Sequence, residues 1–386
     1  MLLIAHQSSR NSRPLMDVAR ELGLTPTWFD SHAGLRELLE GQLRRILVLS
    51  DADITEATVK RVTSAQDKDC FGVIIAANSK ALRSSGKAEL VEKLVDSANL
   101  QWVASDYTFD QLGTAARSCR RRMLRFSRED LESALENNEF MLRFQPKVQR
   151  GSDTSWQTCE AEALLRWRHP QHGPVGPLEF LPEVEAFGLT GKVSEYVLRD
   201  AAGQLVKWRN QGLPLDLCIN LAPSLLSDSE LPQQYEAIVN RFGLKCANFS
   251  FEVSEQDLTD PESTHLKTIA ALRAKGFRLC LDDFRVAAAS LSTFDQLPFD
   301  EIKIHASALQ HAQGDSVALQ VLAAITGLAH NLGMSVCAAG VEDMETFAFL
   351  KTIQCDKMQG FLISEAVLPK LLRRVYGPGV RTAAAQ

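Results

Sequence analysis

The chain lacks a Cys-x-x-Cys pair and any cysteine/histidine cluster at zinc-binding spacing, although it carries eight cysteines, at 70, 119, 159, 218, 246, 280, 337 and 355. That excludes a zinc-ribbon or thioredoxin-like reading. Cys218, Cys280 and Cys337 fall inside apolar runs, where a reduced thiol acts as a small hydrophobe, and a reducing, cytoplasmic setting is expected. A long apolar run is also missing. The longest, 317–329, is broken by Gln320, Thr326 and Gly327 and is too short for a bilayer. The opening MLLIAHQSSR is apolar over five residues and has no cleavage-site pattern, so it does not read as a signal peptide. Nor is positive charge in excess: the formal net charge of −6 argues against wrapping nucleic acid. Internal repeats and low-complexity segments are absent, apart from a frayed, Ala-rich tail over 375–386.

What remains is an ordinary globular composition, 45% hydrophobic and 23% charged, over 386 residues, enough for more than one core. Over residues 1–106, the short apolar runs LLIA (2–5), RILVL (45–49), FGVIIAA (71–77) and LQWVAS (100–105) alternate with amphipathic stretches at 13–22, 35–43 and 88–94. This is the βα pattern of a small doubly wound domain. Residues 106–140 read as helical, and the crowd of arginines at 117, 120, 121, 122, 125 and 128 marks 107–127 as a linker helix. The acidic stretch that follows favours solvated or domain-facing ion pairs over a nucleic-acid surface. From 128 to 374 a longer βα series begins. Eight strand-like runs start at 140, 160, 217, 249, 278, 301, 335 and 358, the count and length of a (β/α)8 barrel.

Polar residues at the ends of those runs carry the chemistry. Glu162, Asn220, Glu252, the Asp282–Asp283 pair, Lys303 and Gln359 lie on separate strands, and in such a barrel strand ends converge on one mouth. Gathered carboxylates repel unless cations neutralise them, and an all-oxygen donor set suits Mg²⁺ or Mn²⁺. Two such ions sharing an aspartate are a common device for phosphodiester hydrolysis, with Arg166 and Lys303 placed to hold a phosphate oxygen and polarise water.

Eight motifs in order, RFQPKV (143–148), EALLRW (162–167), NLAPSLL (220–226), FEVSE (251–255), LDDF (281–284), LPFDEIKI (297–304), AGVE (339–342) and MQGF (358–361), resemble the EAL-domain cyclic-di-GMP phosphodiesterase family. The resemblance implies a modified TIM barrel acting on cyclic di-GMP. It implies one metal on Glu162, Asn220, Glu252 and Asp282, and a second shared by Asp282 and Asp283. Lys303, Glu162 and Asp282 take catalytic roles, while Gln145, Leu164, Arg166, Asn220, Asp283 and Gln359 line the ligand site. It also implies a homodimer through this domain, and Glu255 as the anchor of the loop after the paired aspartates.

Three departures from the family pattern bear on activity. The glycine- and serine-rich loop after the aspartates reads RVAAASL (285–291), which removes access to positive φ. An expected acidic residue after Lys303 is His305, and the first glutamate of the AEGVE motif is Ala339, with Glu342 surviving three residues on. A histidine cannot offer two anionic oxygens to a hard cation. The chain therefore resembles a degenerate member with an incomplete metal site.

The N-terminal stretch resembles, in topology, the receiver domain of response regulators. Its acidic pair, acceptor aspartate, hydroxyl and lysine fall here on His6–Gln7, Ser50 with Asp51 alongside, Ala76 and Ser105, so no phosphotransfer is expected. Three functional expectations follow. One is a cyclic-di-GMP receptor that signals through its receiver-like domain or an unidentified protein partner, with little or no hydrolysis. Another is an active or conditionally active phosphodiesterase yielding pGpG. The third is an interaction protein with a vestigial pocket. None involves a membrane.

Overall fold

The computed structural model describes residues 2–6, 12–22, 24–29, 35, 45–64, 71–77, 87, 90, 99–104, 107–150, 156–254, 264–284, 299–306, 308–309 and 316–376. They form two compact units, Met1–Phe140 with Arg166–Phe187, and Met141–Leu165 with Gly188–Gln386.

In the first unit, β1 (Leu2–His6), α1 (Arg13–Glu21), β2 (Thr25–Phe29), β3 (Arg45–Ser50), α2 (Glu56–Ser64), β4 (Phe71–Ala76), β5 (Asn99–Val103), α3 (Phe109–Met123) and α4 (Arg128–Glu136) follow one another. The strands form one parallel sheet in the order β2-β1-β3-β4-β5, the flavodoxin-like arrangement of receiver domains. Period-two alternation sorts the apolar runs onto two faces. Leu3, Ala5, Ile46, Val48, Ile74 and Ala76 meet α1 and α3, whereas Ile4, Leu47, Leu49, Val73 and Ile75 meet Val59 and Val62 of α2. The sequence reading has no strand at TPTWF. This segment is the edge strand β2, paired to β1 with Pro26 opposite Leu3, and an edge is where a residue without an N–H is tolerated.

The stretch read as helical over 106–140 holds two helices. Thr108 and Gln111 form a capping box that starts α3, while Ser127 and Asp130 form a second one that starts α4. Leu112, Ala115, Ala116 and Cys119 of α3 are buried in the sheet's own core. Among the arginines, Arg120 is fully buried. Its guanidinium donates to the carbonyls of Leu22 (2.9 Å), His172 (3.1 Å) and Pro174 (2.7 Å) and lies 3.2 Å from Glu179.

The barrel is built from β6 (Phe140–Arg150), β7 (Trp156–His169), β8 (Gly173–Val175), α5 (Pro177–Ala186), α6 (Thr190–Asn210), β9 (Asp216–Asn220), α7 (Leu231–Arg241), β10 (Phe249–Ser254), α8 (Thr264–Ala274), β11 (Arg278–Phe284), β12 (Glu301–Ile304), α9 (Ser316–Asn331), β13 (Ser335–Ala338), α10 (Met344–Thr352), β14 (Lys357–Met358) and α11 (Pro369–Tyr376). Eight strands close in the order β6-β14-β13-β12-β11-β10-β9-β7, with β7 returning to β6, and β8 pairs antiparallel with the end of β7. Unlike an all-parallel barrel, β6 runs antiparallel to β14, so on β6 the earlier residue of an inward pair lies toward the mouth. The register of β11 against β12 shifts between Leu281 and Phe284, an irregularity in the strand that carries the paired aspartates. Among the described residues, no helix is long and apolar enough to cross a membrane.

Candidate active site at the barrel mouth

Inward-facing residues recur every second position on each strand, and two per strand make two tiers. The mouth tier gathers Gln145, Glu162, Asn220, Glu252, Asp282, Lys303 and Gln359. Lys303 stands at its centre. Its ammonium donates to Glu162 (3.2 Å) and Glu252 (2.8 Å) and lies 3.6 Å from Asp282. The other oxygen of Glu162 accepts from the Asn220 amide (2.8 Å). The Gln359 amide donates both to Glu162 (2.8 Å) and to Gln145 (3.1 Å). Asn220 is exposed and Asp282 is half-buried, so the tier opens to solvent on that side.

Beneath it lies a tier that single-residue reading missed. Lys147 and Lys357 alternate with Glu160 and Glu301 in a closed square of contacts. Lys147 is 3.6 Å from each glutamate, and Lys357 is 3.1 Å from Glu160 and 2.7 Å from Glu301. Arg278 reaches Glu160 (3.3 Å) and Asp216 (3.0 Å) at its side. The available signal was the i, i+2 repeat of charged or amide side chains in Glu160-x-Glu162, Glu301-x-Lys303 and Lys357-x-Gln359, which places both members on one strand face. Cys218, Cys280 and Cys337, expected as small hydrophobes, are buried beside these charges, and burial pushes their thiols well above the ordinary range.

Burial works against the charges of Lys303, Lys147 and Glu252, and pairing outweighs it. It would discharge Lys303, but Glu162 and Glu252 hold its pKa well above the ordinary lysine range. Lys147 behaves likewise, raised by neighbours that include Cys218, Glu252, Glu160 and Glu301. Burial alone would raise Glu252, yet Lys147 and Lys303 bring it down to about 2.

The remaining expected site residues fall as follows. Leu164 and Arg166 lie two and four positions beyond Glu162 on β7. Ala339 follows β13, and its N–H donates to the carbonyl of Ile304 (3.0 Å), the residue before His305, so the two substituted positions adjoin. Glu342 is exposed beyond Gly340. Gly340 has φ +75° and sits where a Cβ would come within 2.3 Å of the Ala306 Cβ. The Asp283 side chain, Glu255 and 285–298 lie outside the described residues. In the first unit, Ser50 at the end of β3 donates through its N–H to Asp53 (2.8 Å), a turn role at the position where the receiver resemblance places an acceptor. The Asp51 and His6 side chains, Gln7 and Ser105 lie outside the described residues.

The donor set is all oxygen. Three carboxylates close on one ammonium, and their charge exceeds what Lys303 supplies, so the chemistry fits one hard divalent cation. Among the described residues, no three His, Cys, Asp or Glu side chains form a ready-made metal cluster; the carboxylates turn to Lys303 instead.

Comparisons with known proteins extend the picture. A cyclic di-GMP phosphodiesterase of Pseudomonas aeruginosa is 34% identical over 244 residues, 63% of this chain and 41% of that protein. An uncharacterized signaling protein of Caulobacter vibrioides is 33% identical over 234 residues, 61% of this chain and 28% of that protein. The chain thus spans well under half the length of these relatives. The solved PaMucR phosphodiesterase in complex with c-di-GMP superposes with a TM-score of 0.58 at 31% identity, covering 63% of this chain and 98% of that one. The EAL domain of FimX from Pseudomonas aeruginosa, bound to c-di-GMP, shares the fold with a TM-score of 0.55 at 24% identity, covering 61% and 94%. The model of the EAL domain matches residues 128–366, more than half of the sequence, and the chain belongs to the EAL domain family.

Proposed function

We propose that this chain is a cyclic-di-GMP signalling protein whose barrel binds the dinucleotide with little or no hydrolysis. The observation that carries this reading is a kept mouth tier beside two lost acidic groups. Gln145, Glu162, Asn220, Glu252, Asp282, Lys303 and Gln359 converge, while Ala339 and His305 adjoin where the family pattern has carboxylates. The relatives named for cyclic di-GMP support the ligand class.

EAL domains generally depend on Mg²⁺ or Mn²⁺, and Glu162, Asn220, Glu252 and Asp282 would hold one such ion, which would polarise a phosphate oxygen. Lys303 supplies fixed positive charge to the same spot, while Gln359 and Gln145 present amides to the ligand. By the family resemblance a second ion would be shared by Asp282 and Asp283, and two acidic positions of the family pattern are His305 and Ala339 here. The water that attacks phosphorus would lack a carboxylate at 339, and losing one such group costs about 10²–10⁴ in rate. The N-terminal receiver-like domain acts in this proposal without phosphotransfer, and the homodimer and the protein partner belong to the same reading.

Calorimetry with cyclic di-GMP, with and without Mg²⁺ or Mn²⁺, combined with product analysis on the same sample, tests it. Binding without release of pGpG is the expected result. Absence of heat in every buffer sinks it in favour of a vestigial pocket. Steady release of pGpG moves the protein to the second reading, a working phosphodiesterase, which the 34% identical relative favours. Ala339→Glu combined with His305→Asp is expected to raise hydrolysis at least tenfold. If that variant stays inert, the block lies in RVAAAS (285–290).

A further inference from the structure

The mouth tier contains a carboxylate gripped from both sides. Glu252 places one oxygen 2.8 Å from Lys303, in the mouth, and the other 2.9 Å from Lys147, below it. Lys147 is fully buried, and its contact with Glu252 is the short one. Its distances to Glu160 and Glu301 are both 3.6 Å, beyond hydrogen-bond reach. Lys357 meanwhile bonds those two glutamates closely. The lower square is therefore neutral without help from above, and the hydrogen-bonding capacity of Lys147 is directed upward at Glu252.

A buried carboxylate with one oxygen fixed cannot rotate to offer the other, nor chelate through both. We propose that Lys147 is a positioning residue of the cation site: it ties down one oxygen of Glu252 and so presents the other, singly and in fixed orientation, to whatever cation or ligand occupies the mouth. This rests on the reading of the mouth as a divalent-cation site. Groups that orient a ligating side chain from behind typically account for about 10–100-fold in metal affinity.

Removing Lys147 alone leaves one uncompensated negative charge buried among Glu160, Glu252 and Glu301 and risks unfolding, so the decisive variant removes one charge of each sign. Lys147→Met with Glu301→Met leaves Lys357 paired with Glu160, and Glu301→Met alone is the control that keeps the Lys147–Glu252 bond. The probe is Mn²⁺ alone, titrated into the full chain and followed by the electron paramagnetic resonance of the free ion. The charge-balanced variant, at a melting temperature close to wild type, is expected to bind Mn²⁺ about 10–100-fold more weakly. The control and Lys147→Arg should remain within about threefold. Unchanged affinity in the charge-balanced variant overturns the proposal, because a merely structural lysine would leave affinity alone once charge is balanced. If the wild-type protein takes up no Mn²⁺, the cation reading fails on its own account. A crystal structure of the charge-balanced variant then decides the role of Lys147: Glu252 turned away from Lys303 supports it, and Glu252 unmoved overturns it.

Discussion

The N-terminal sheet buries hydrocarbon on both faces, while the barrel closes around a column of charge. Ile4, Leu47, Val73 and Ile75 of the sheet pack in an apolar cluster with Val59 and Val62, so their fit is set by volume rather than by charge pairing. In the barrel, Lys147, Lys303, Lys357 and Arg278 face Glu160, Glu162, Glu252, Asp282, Glu301 and Asp216. A charge in that column is tolerated only while its partner stays within reach. An apolar core places no pairing demand on the residues at its strand ends, and Ser50 and Ala76 stand at the ends of β3 and β4. The barrel interior has no such freedom, because each mouth residue is also a counter-charge, donor or acceptor for another.

The largest expected effect breaks that contrast at its base. Lys357→Met leaves Glu160 and Glu301 with weaker neutralisation and should destabilise the barrel by about 3–5 kcal/mol, as removing one member of a buried pair does. Adding Glu301→Leu should restore most of the loss, because two charges leave together. Urea denaturation followed by segment-resolved hydrogen exchange reads both. A single variant costing under about 1 kcal/mol would show that the column is wet and screened, and the contrast with the sheet would collapse.

Acid separates the two units next. The pKa of Glu252 lies at about 2, well below the ordinary carboxylate range, because Lys147 and Lys303 outweigh burial, and Glu160 is depressed in the same direction. A depressed carboxylate adds stability above its unfolded pKa and gives it up as pH falls through the folded value. For Glu252 the loss runs from about pH 4.5 down to about 2 and amounts to about 3 kcal/mol. Lys147 and Lys303 act at the other end, where their stabilisation fades as pH rises above about 10.5. Glu179 of α5, which groups with the first unit through Arg166–Phe187, has the opposite sign in acid. Burial outweighs Arg120 and raises its pKa, so its protonation relieves the folded state. Hydrogen exchange at pH 3 should show the barrel strands opening before β3 and β4. The reverse order would mean that the lysines do not hold their carboxylates charged.

Much of this was legible in the strand pattern. The eight barrel runs were readable as short apolar runs, and the mouth residues because Glu162, Glu252 and Lys303 each stand between two apolar neighbours. The lower tier was hidden by the same logic taken one residue at a time: Glu160 at a strand entrance and Lys357 after Asp356 look like solvated flanks until closure brings β7, β12 and β14 around β6. Arg120 was hidden in a crowd of arginines, because sequence spacing does not tell which one turns inward to Leu22, His172, Pro174 and Glu179. TPTWF escaped because threonine and proline carry no apolar alternation, and only pairing to β1 makes it a strand. The last barrel run, expected over 358–364, is a strand only at Lys357–Met358. Gly360 then packs so tightly on Val341 that a Cβ would lie 2.1 Å from its carbonyl oxygen.

The smallest effect tests where the apolar unit ends. Thr108 accepts from the N–H of Gln111 while the Gln111 side chain accepts from the N–H of Thr108, and this closes the first turn of α3. Thr108→Ala removes one bond of that box and should cost about 1 kcal/mol. Leu112, Ala116 and Cys119 of α3 lie in the same core as Ile46 and Ile74, so the loss should appear as faster exchange throughout β3 and β4. If instead only the first turn of α3 exchanges faster and the sheet is unaffected, α3 is a linker helix that frays by itself, and the apolar core closes without it. Ser127→Ala supplies the matched measurement on α4, since it removes the equivalent acceptor from Asp130. A response confined to the residues after Ser127 would mark the break between α3 and α4 as the point where cooperative unfolding changes hands.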